Sequence, residues 1–131
     1  MDDHFQKVKS YIMELDYQIS HEDETEGVFV IDHETSGIKN LVIGIADPIL
    51  IMEQFMFDLG KESTEVYKSL LQKNRDIISG AFALDESGKK VVFRDTLALE
   101  NLDLNEIEGS FNSLGLLLSE YSDEILKFSK N

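Results

Sequence analysis

Apolar residues recur at helical spacing along the chain, and the longest such stripe lies near its end. Its members follow one another at intervals of four and three residues, which places them on one face of a helix. They are Ile107, Phe111, Leu114, Leu118, Tyr121, Ile125 and Phe128. Asp103, followed three residues later by Glu106, is a capping-box pattern that predicts the start of this helix. A shorter stripe predicts a first helix, and it consists of Phe5, Val8, Ile12 and Leu15.

A second helix is predicted over residues 63–78. Ser63 or Thr64 supplies a side-chain oxygen suited to capping its first turn. Val66, Leu70 and Ile77 lie on one stripe of this helix. Gly80 predicts its end, because glycine is favoured just after the last turn of a helix.

Segments rich in β-branched and aromatic residues predict the strands. They are residues 28–31, 41–45, 49–59, 81–84 and 91–99. In the third segment, helix-favouring residues follow Pro48, which would suit a helix. Its apolar residues nevertheless recur at multiples of two, the period of a strand, so a strand is favoured; they are Ile49, Ile51, Phe55 and Phe57. The last two segments flank a short glycine-containing turn and predict a hairpin. Residues 21–26 contain no apolar residue and are interpreted as a solvated loop or hairpin end.

These elements predict the order α-β-β-β-α-β-β-α. Because short turns join the strands, the sheet is expected to be antiparallel, and helices segregated around such a sheet give an α+β fold. The predicted fold is therefore a five-stranded antiparallel sheet with three helices. A chain of 131 residues has the size of one domain, so we expect a single domain over residues 1–131.

Composition and charge exclude several classes of partner. The chain is 42% apolar and 29% charged, as in globular domains. Its formal net charge of −14 repels nucleic-acid backbones and anionic membranes, so neither is expected as a partner. The absence of cysteine excludes disulfides and thiol catalysis. The acidic start at Met1 to His4 is not typical of a signal peptide, and we expect a soluble, cytoplasmic protein.

No motif of known chemistry is present in the sequence. It lacks the nucleophile elbow, the zinc-binding HExxH and the glycine-rich phosphate loops. His21 and the acidic residues after it are adjacent in sequence, so their side chains point in different directions and form a poor metal site. The run from Asn101 departs from the calcium-loop pattern at Glu106 and Asn112. We therefore predict no catalytic residue, no cofactor, no metal site and no enzyme activity.

Apolar residues on both parities of the strands indicate that both faces of the sheet are covered. An antiparallel sheet needs only one apolar face when its other face meets water. Full cover by the chain's own helices is one possibility. The other is that the helix over residues 63–78 covers part of the second face and a second subunit covers the rest, since large exposed apolar patches are rare on monomers. We predict a symmetric dimer or partner surface formed by Leu50, Met52, Met56, Tyr67 and Leu71.

Three segments and the order of elements carry a resemblance to a known family. The segments are residues 27–30, the hairpin over 80–94, and residues 96–102 leading into the last helix. They resemble the YbjN-like family of bacterial sensory-transduction regulators, which has the type III secretion chaperone-like fold. The resemblance covers nearly the whole chain. It implies a homodimer with no known catalytic site and, as in the chaperone relatives, an apolar surface that holds an extended partner peptide.

The predicted function is that of a non-enzymatic, homodimeric domain that binds an unknown protein partner. Its role would be chaperone-like or regulatory, and its apolar, methionine-containing sheet and helix surface would be adaptable. The alternative is a small-ligand sensor or regulator with a pocket between the last helix and the sheet. An open groove favours the first hypothesis, whereas a cavity with converging polar groups favours the second.

Overall fold

The computed structural model describes residues 3–60 and 63–129, so Met1 and Asp2 of the acidic start lie outside the described residues. Within those ranges the helices are α1 (His4–Glu14), α2 (Thr64–Asn74) and α3 (Leu104–Ser129). The strands are β1 (Gln18–Asp23), β2 (Val28–His33), β3 (Ile38–Ala46), β4 (Ile49–Asp58), β5 (Ala81–Leu84) and β6 (Lys90–Ala98). A single 3₁₀ turn (Glu34–Ser36) lies between β2 and β3. The predicted helices and strands are confirmed, with shifts at their ends.

The strands form one antiparallel sheet in the order β1-β2-β3-β4-β6-β5, which confirms the predicted α+β fold. The sheet has six strands rather than five, and β1 is the one that the sequence pattern did not reveal. It pairs with β2 from Gln18 opposite Asp32 to Asp23 opposite Val28. Ile19 is its only apolar residue, because an edge strand that is largely exposed needs little apolar surface. Residues 21–26, interpreted as a solvated loop or hairpin end, lie at the end of the β1–β2 hairpin, and residues 21–23 still belong to β1.

α1 and α3 pack on one face of the sheet, which we call the core face. One row of cross-strand partners on it runs Phe29, Ile43, Met52 and Asp95. The ring of Phe5 in α1 stacks on that of Phe29, with 4.3 Å between centroids. Ser110 of α3 donates a hydrogen bond to Met52 Sδ at 3.2 Å. The hydrophobic core therefore lies between these two helices and this face of the sheet.

α2 lies on the same side of the sheet as the other two helices. Its buried residues Val66 and Leu70 join the core together with Phe82 of β5, and Lys73 Nζ lies 2.6 Å from Glu124 Oε2 of α3. The expectation that residues 63–78 help to cover the other face of the sheet is therefore wrong. The physical reason is that the apolar stripe of α2 completes the core over β5, where α1 and α3 leave space.

The end of α2 is set by a contact that its sequence did not reveal. The helix ends at Asn74 instead of near residue 78. The Asn74 amide donates to the Phe82 carbonyl at 3.1 Å and accepts from the Phe82 N–H at 2.7 Å. Asn74 thereby replaces a neighbouring strand at the free edge of β5.

The predicted helix starts and the long α3 stripe are confirmed. Asp103 Oδ1 accepts a hydrogen bond from the Glu106 N–H at 2.8 Å, and Ser63 Oγ accepts one from the Val66 N–H at 3.4 Å. Every residue of the predicted α3 stripe lies in the core or packs against it. No helix within the described residues is long and apolar enough to cross a membrane.

A buried carboxylate ties β6 to α3. Asp95 is nine-tenths buried, and its Oδ2 accepts hydrogen bonds from the hydroxyls of Ser79, at 2.5 Å, and Ser110. Ser113 Oγ donates to the Ser79 carbonyl at 2.7 Å. A buried charge needs such partners, so these serines allow a carboxylate at this position.

Candidate functional site

The face of the sheet opposite the helices is largely apolar, and we call it the outer face. Its larger apolar side chains on β2, β3 and β4 are Val28, Val30, Val42, Ile49, Ile51 and Phe55, and β6 adds Val92. Val42 is 40% exposed and Phe55 51% exposed. Within the described residues no helix packs here, since the buried residues of all three helices belong to the core on the other side. The outer face is therefore an apolar surface that residues 3–60 and 63–129 leave without cover.

Two ion pairs interrupt the apolar surface of the outer face. Arg94 Nη1 lies 2.9 Å from Glu53 Oε1 on the adjacent strand, and both side chains are partly exposed. Lys90 Nζ lies 3.8 Å from Asp58 Oδ1 and 5.2 Å from the centroid of the Phe55 ring. Because these charges are already paired, a partner can cover the outer face without supplying a counter-ion for each of them.

A groove of about 350 Å³ lies between α2 and the edge strand β5, and we call it the β5 groove. Its walls are apolar apart from Asn74 and the Tyr67 hydroxyl; the lining residues are Tyr67, Leu70, Leu71, Asn74, Phe82, Ala83, Leu84 and Val91. Leu71 is 70% exposed. Ala83 pairs with Val92, and Val92 pairs with Phe55. The β5 groove and the outer face therefore meet at the edge of the sheet.

A second crevice, of about 500 Å³, lies between α3 and two connections at one end of the sheet. We call it the tyrosine crevice; its lining residues are Leu15, Tyr17, His33, Ser36, Glu108, Phe111, Asn112, Gly115 and Leu116. The Tyr17 ring lies between two other rings, with centroid distances of 4.2 Å to His33 and 4.5 Å to Phe111. This packing fixes the tyrosine at the wall of the crevice.

Polar groups of the tyrosine crevice come from three separate elements. His33 Nδ1 and Ser36 Oγ share a hydrogen bond of 2.6 Å. Burial raises the pKa of the Tyr17 hydroxyl above its usual range; a hydrogen bond with Ser36 opposes this, and the negative charge of Glu108 adds to it. The phenol is therefore protonated at neutral pH. These groups can bind a polar ligand, but they contain no activated nucleophile.

A sequence model of one protein family, the type III chaperone family CesT_Tir_1, matches the chain from residue 1 to residue 131. The chain belongs to the CesT_Tir_1 family. This match confirms the resemblance to the type III secretion chaperone-like proteins. No curated protein matches the chain at the level of sequence.

Solved structures with the fold of this CesT_Tir_1 member include a regulator and chaperones. YbjN from E. coli, described as a putative transcription regulator, has a TM-score of 0.68 at 10% identity, covering 91% of each chain. The HopA1–SchA chaperone–effector complex gives 0.62 at 10% identity, covering 100% of this chain and 99% of the other. The Yersinia pestis type III secretion chaperone SycH, bound to a fragment of YscM2, gives 0.57 at 16% identity, covering 96% and 99%. These likenesses establish the fold.

The predicted surface residues of this CesT_Tir_1 member do not all lie on a surface. Leu50 and Met52 are 0% and 1% exposed, so their placement on an accessible surface is wrong. They lie on the core face of β4, beneath the helices. Met56 is half-buried against the core, whereas Tyr67 and Leu71 line the β5 groove, and the interface role of these three residues stays a prediction.

Sequence reasoning placed Leu50 and Met52 of β4 on the surface instead of Ile51 and Phe55, and an irregularity in β4 obscures its two faces. Phe55, Ile51 and Phe57 share one parity, but the register shifts between Phe55 and Phe57. Phe57 therefore lies in the core at 2% exposure, whereas Phe55 and Ile51 lie on the outer face. Val42 in β3 was an available signal for the outer face. It alternates with Leu41 and Ile43, so it lies on the opposite face from these two buried residues.

The acidic residues at 21–26 connect α1 with the β1–β2 hairpin. Glu22 Oε2 lies 3.1 Å from Lys9 Nζ, and Glu24 Oε1 accepts a hydrogen bond from the Gln6 amide at 3.2 Å. Within residues 3–60 and 63–129, no group of three His, Asp or Glu side chains is placed to hold a metal ion.

Proposed function

We propose that this CesT_Tir_1 member is a non-enzymatic, homodimeric protein-binding domain with a chaperone-like or regulatory role in the cytoplasm. The observation that carries the proposal is the outer face, where Val42 and Phe55 are exposed beside Ile51. The described helices all lie on the opposite side of the sheet, so this apolar surface has no cover of its own. Extended exposed apolar patches mark interaction sites in soluble proteins.

The β5 groove is the proposed site of contact with a second copy of the chain. Leu71 is largely exposed on α2, and Leu84 is 48% exposed at the end of β5. Because Asn74 already occupies hydrogen-bonding groups at the free edge of β5, a second copy would pack side chains there rather than add a strand. In a two-fold dimer, the same patch of each copy meets itself, and an obligate interface buries roughly 1,500 Å² or more.

The outer face is the proposed site for a different protein. Two of the similar structures are chaperones in complexes with another protein, which supports protein binding as the function of this fold. Val30, Val42 and Ile51 offer β-branched side chains on adjacent strands, and extended segments of a partner can pack against such a surface. Met56, with an adaptable thioether, is proposed to contribute at the irregularity of β4, next to Phe55.

Light scattering of the purified chain tests the homodimer. We expect twice the chain mass of 14.9 kDa. Leu71→Glu places a charge in the β5 groove and should shift the mass towards one chain without unfolding, because Leu71 is already exposed. Met13→Glu is the matched control, since Met13 is 59% exposed on α1 and lies outside the groove. A parent protein that stays monomeric at high concentration would contradict the proposed dimer.

Capture from native lysate, followed by mass spectrometry, tests the outer face. A partner bound by the parent should be lost from the Val42→Glu variant and retained by Met13→Glu. Light scattering of Val42→Glu should still give the dimer mass, because Val42 lies on β3, which β4 and β6 separate from β5. Capture of the same protein by parent, Val42→Glu and Met13→Glu alike would exclude the outer face as the binding site.

A further inference from the structure

We infer that the tyrosine crevice binds an organic ammonium ion with an apolar body, and that Glu108 is its counter-ion. The crevice volume of about 500 Å³ lies within the range of small-molecule sites, roughly 300–1,000 Å³. Its lining residues are all different from those of the β5 groove and the outer face. The inference is therefore independent of the proposed homodimer.

The charge of the crevice selects a cation. Glu108 is its only acidic residue, and none of its lining residues is Lys or Arg. Among the ion pairs found in residues 3–60 and 63–129, none involves Glu108. The net charge of −14 opposes the approach of anions and attracts cations. A ligand with a positive charge is therefore attracted by the Glu108 carboxylate at short range and by the net charge of the protein at long range.

The acceptors around Glu108 fit the donors of an ammonium group. An ammonium ion offers several N–H donors and no acceptor. Asn112 lies one helical turn after Glu108, on the same side of α3, and provides an amide oxygen. The protonated Tyr17 hydroxyl provides a third oxygen from the opposite wall. The raised pKa of Tyr17, partly due to Glu108, agrees with a site whose field favours positive charge.

The remaining walls fit an apolar body attached to that charge. Leu15, Phe111 and Leu116 supply apolar surface beside the polar groups. Gly115 keeps this side of the crevice open, since a Cβ atom there would already lie 3.4 Å from the Ser36 Cβ atom. The aromatic stack around Tyr17 holds the opposite wall in place, so little ordering is required when a ligand binds.

Amide-resolved NMR titration of the full chain tests the inference, with phenethylammonium as the probe. We expect saturable shifts confined to the residues that line the tyrosine crevice. Two further probes have the same aromatic body: 2-phenylethanol lacks the charge and should bind more weakly, and phenylacetate has the opposite charge and should not bind. Equal shifts with phenylacetate, or shifts spread over the whole acidic surface, would overturn the assignment.

Glu108→Gln should weaken phenethylammonium binding about five- to tenfold, the effect of losing a charge-assisted hydrogen bond. Glu106→Gln is the control, because this glutamate lies on the same helix outside the crevice and its loss removes the same charge. Equal weakening by both variants would attribute binding to the general negative field and reject the site. Light scattering of Glu108→Gln should match the parent, so that failure of this site and failure of the proposed dimer can be distinguished.

The same ammonium chemistry occurs in free amines and in lysine side chains of proteins. A short capped peptide containing a single lysine separates the two sources in the same titration. Crevice shifts from the peptide, lost in Glu108→Gln, would assign the site to a lysine side chain of a protein partner. Shifts from phenethylammonium alone would assign it to a free amine. The absence of shifts with both probes would refute the inference.

Discussion

Replacement of Gly80 by alanine should strongly destabilise the fold. Gly80 begins the path into β5 with φ of +86°, and an added Cβ atom would lie 2.5 Å from Cζ of Phe93 and 2.9 Å from the carbonyl oxygen of Arg94. The Phe93 ring is fully buried and cannot move away easily. The left-handed conformation costs an alanine roughly 1–2 kcal/mol, and overpacking of the core adds about 1–3 kcal/mol. We therefore expect Gly80→Ala to lower the free energy of unfolding by about 2–5 kcal/mol.

Gly88→Ala separates the two contributions to this loss. Gly88 has φ of +72°, but no heavy atom lies within 4 Å of an added Cβ atom. Its alanine variant should lose only the conformational part, roughly 1–2 kcal/mol. Urea denaturation measures the difference in the free energy of unfolding between the two variants. The comparison uses variants whose free energy of unfolding falls with urea concentration at the same slope. Phe93→Leu should also reduce the cost of Gly80→Ala, because it removes part of the ring. Equal losses for the two glycine variants would show that Phe93 does not pack on Gly80.

Substitutions at four other positions test separate parts of the fold in the same denaturation assay. Leu114→Ala should lower the free energy of unfolding by about 2–5 kcal/mol, because Leu114 lies in the core. Leu116→Ala should lower it by no more than about 0.5 kcal/mol, because Leu116 is 47% exposed. Equal losses would contradict the α3 stripe. Gly109→Ala should gain about 0.5–1 kcal/mol, because an added Cβ atom meets nothing within 4 Å and alanine favours helix; a loss would indicate an unseen contact. Asp95→Ala should lose about 2–3 kcal/mol, since it leaves buried serine hydroxyls without an acceptor, and Asp95→Asn should lose less; unchanged stability would refute the hydrogen-bond network.

The periodic parts of the sequence predicted most of the fold. α3 was recognisable because each turn of a long helix buries an apolar residue against the sheet. The resulting stripe includes Ile107, Phe111 and Leu114. β1 gave no such signal, since Ile19 is its only apolar residue and its pairing with β2 depends on the backbone. Local pattern therefore identifies elements that bury a face and misses an edge strand that does not.

The candidate surfaces depended on information that local pattern does not contain. The apolar stripe of α2 predicts that Val66 is buried, but it does not predict the face of the sheet on which α2 packs. That face follows from the space that α1 and α3 leave over β5. The tyrosine crevice combines Tyr17, His33 and Glu108, which lie far apart in the sequence and meet only in the folded chain. The register shift in β4 moved Phe57 into the core against its parity. Each of these features follows from tertiary packing.

The distribution of polarity across the outer face indicates which part of it the proposed partner would cover. On β1 this side carries Gln18, His21 and Asp23, the partners of β2 residues, as expected for a strand that meets water. On β4 the same side carries Ile51 and Phe55. Strand propensity alone does not require apolar residues there, because threonine or tyrosine would serve an exposed strand as well. The polarity therefore falls from the β1 edge towards β4 and rises again on β6, where the same side carries Arg94 and Thr96. The part of the outer face formed by β2, β3 and β4 is where a protein partner would exclude the most water.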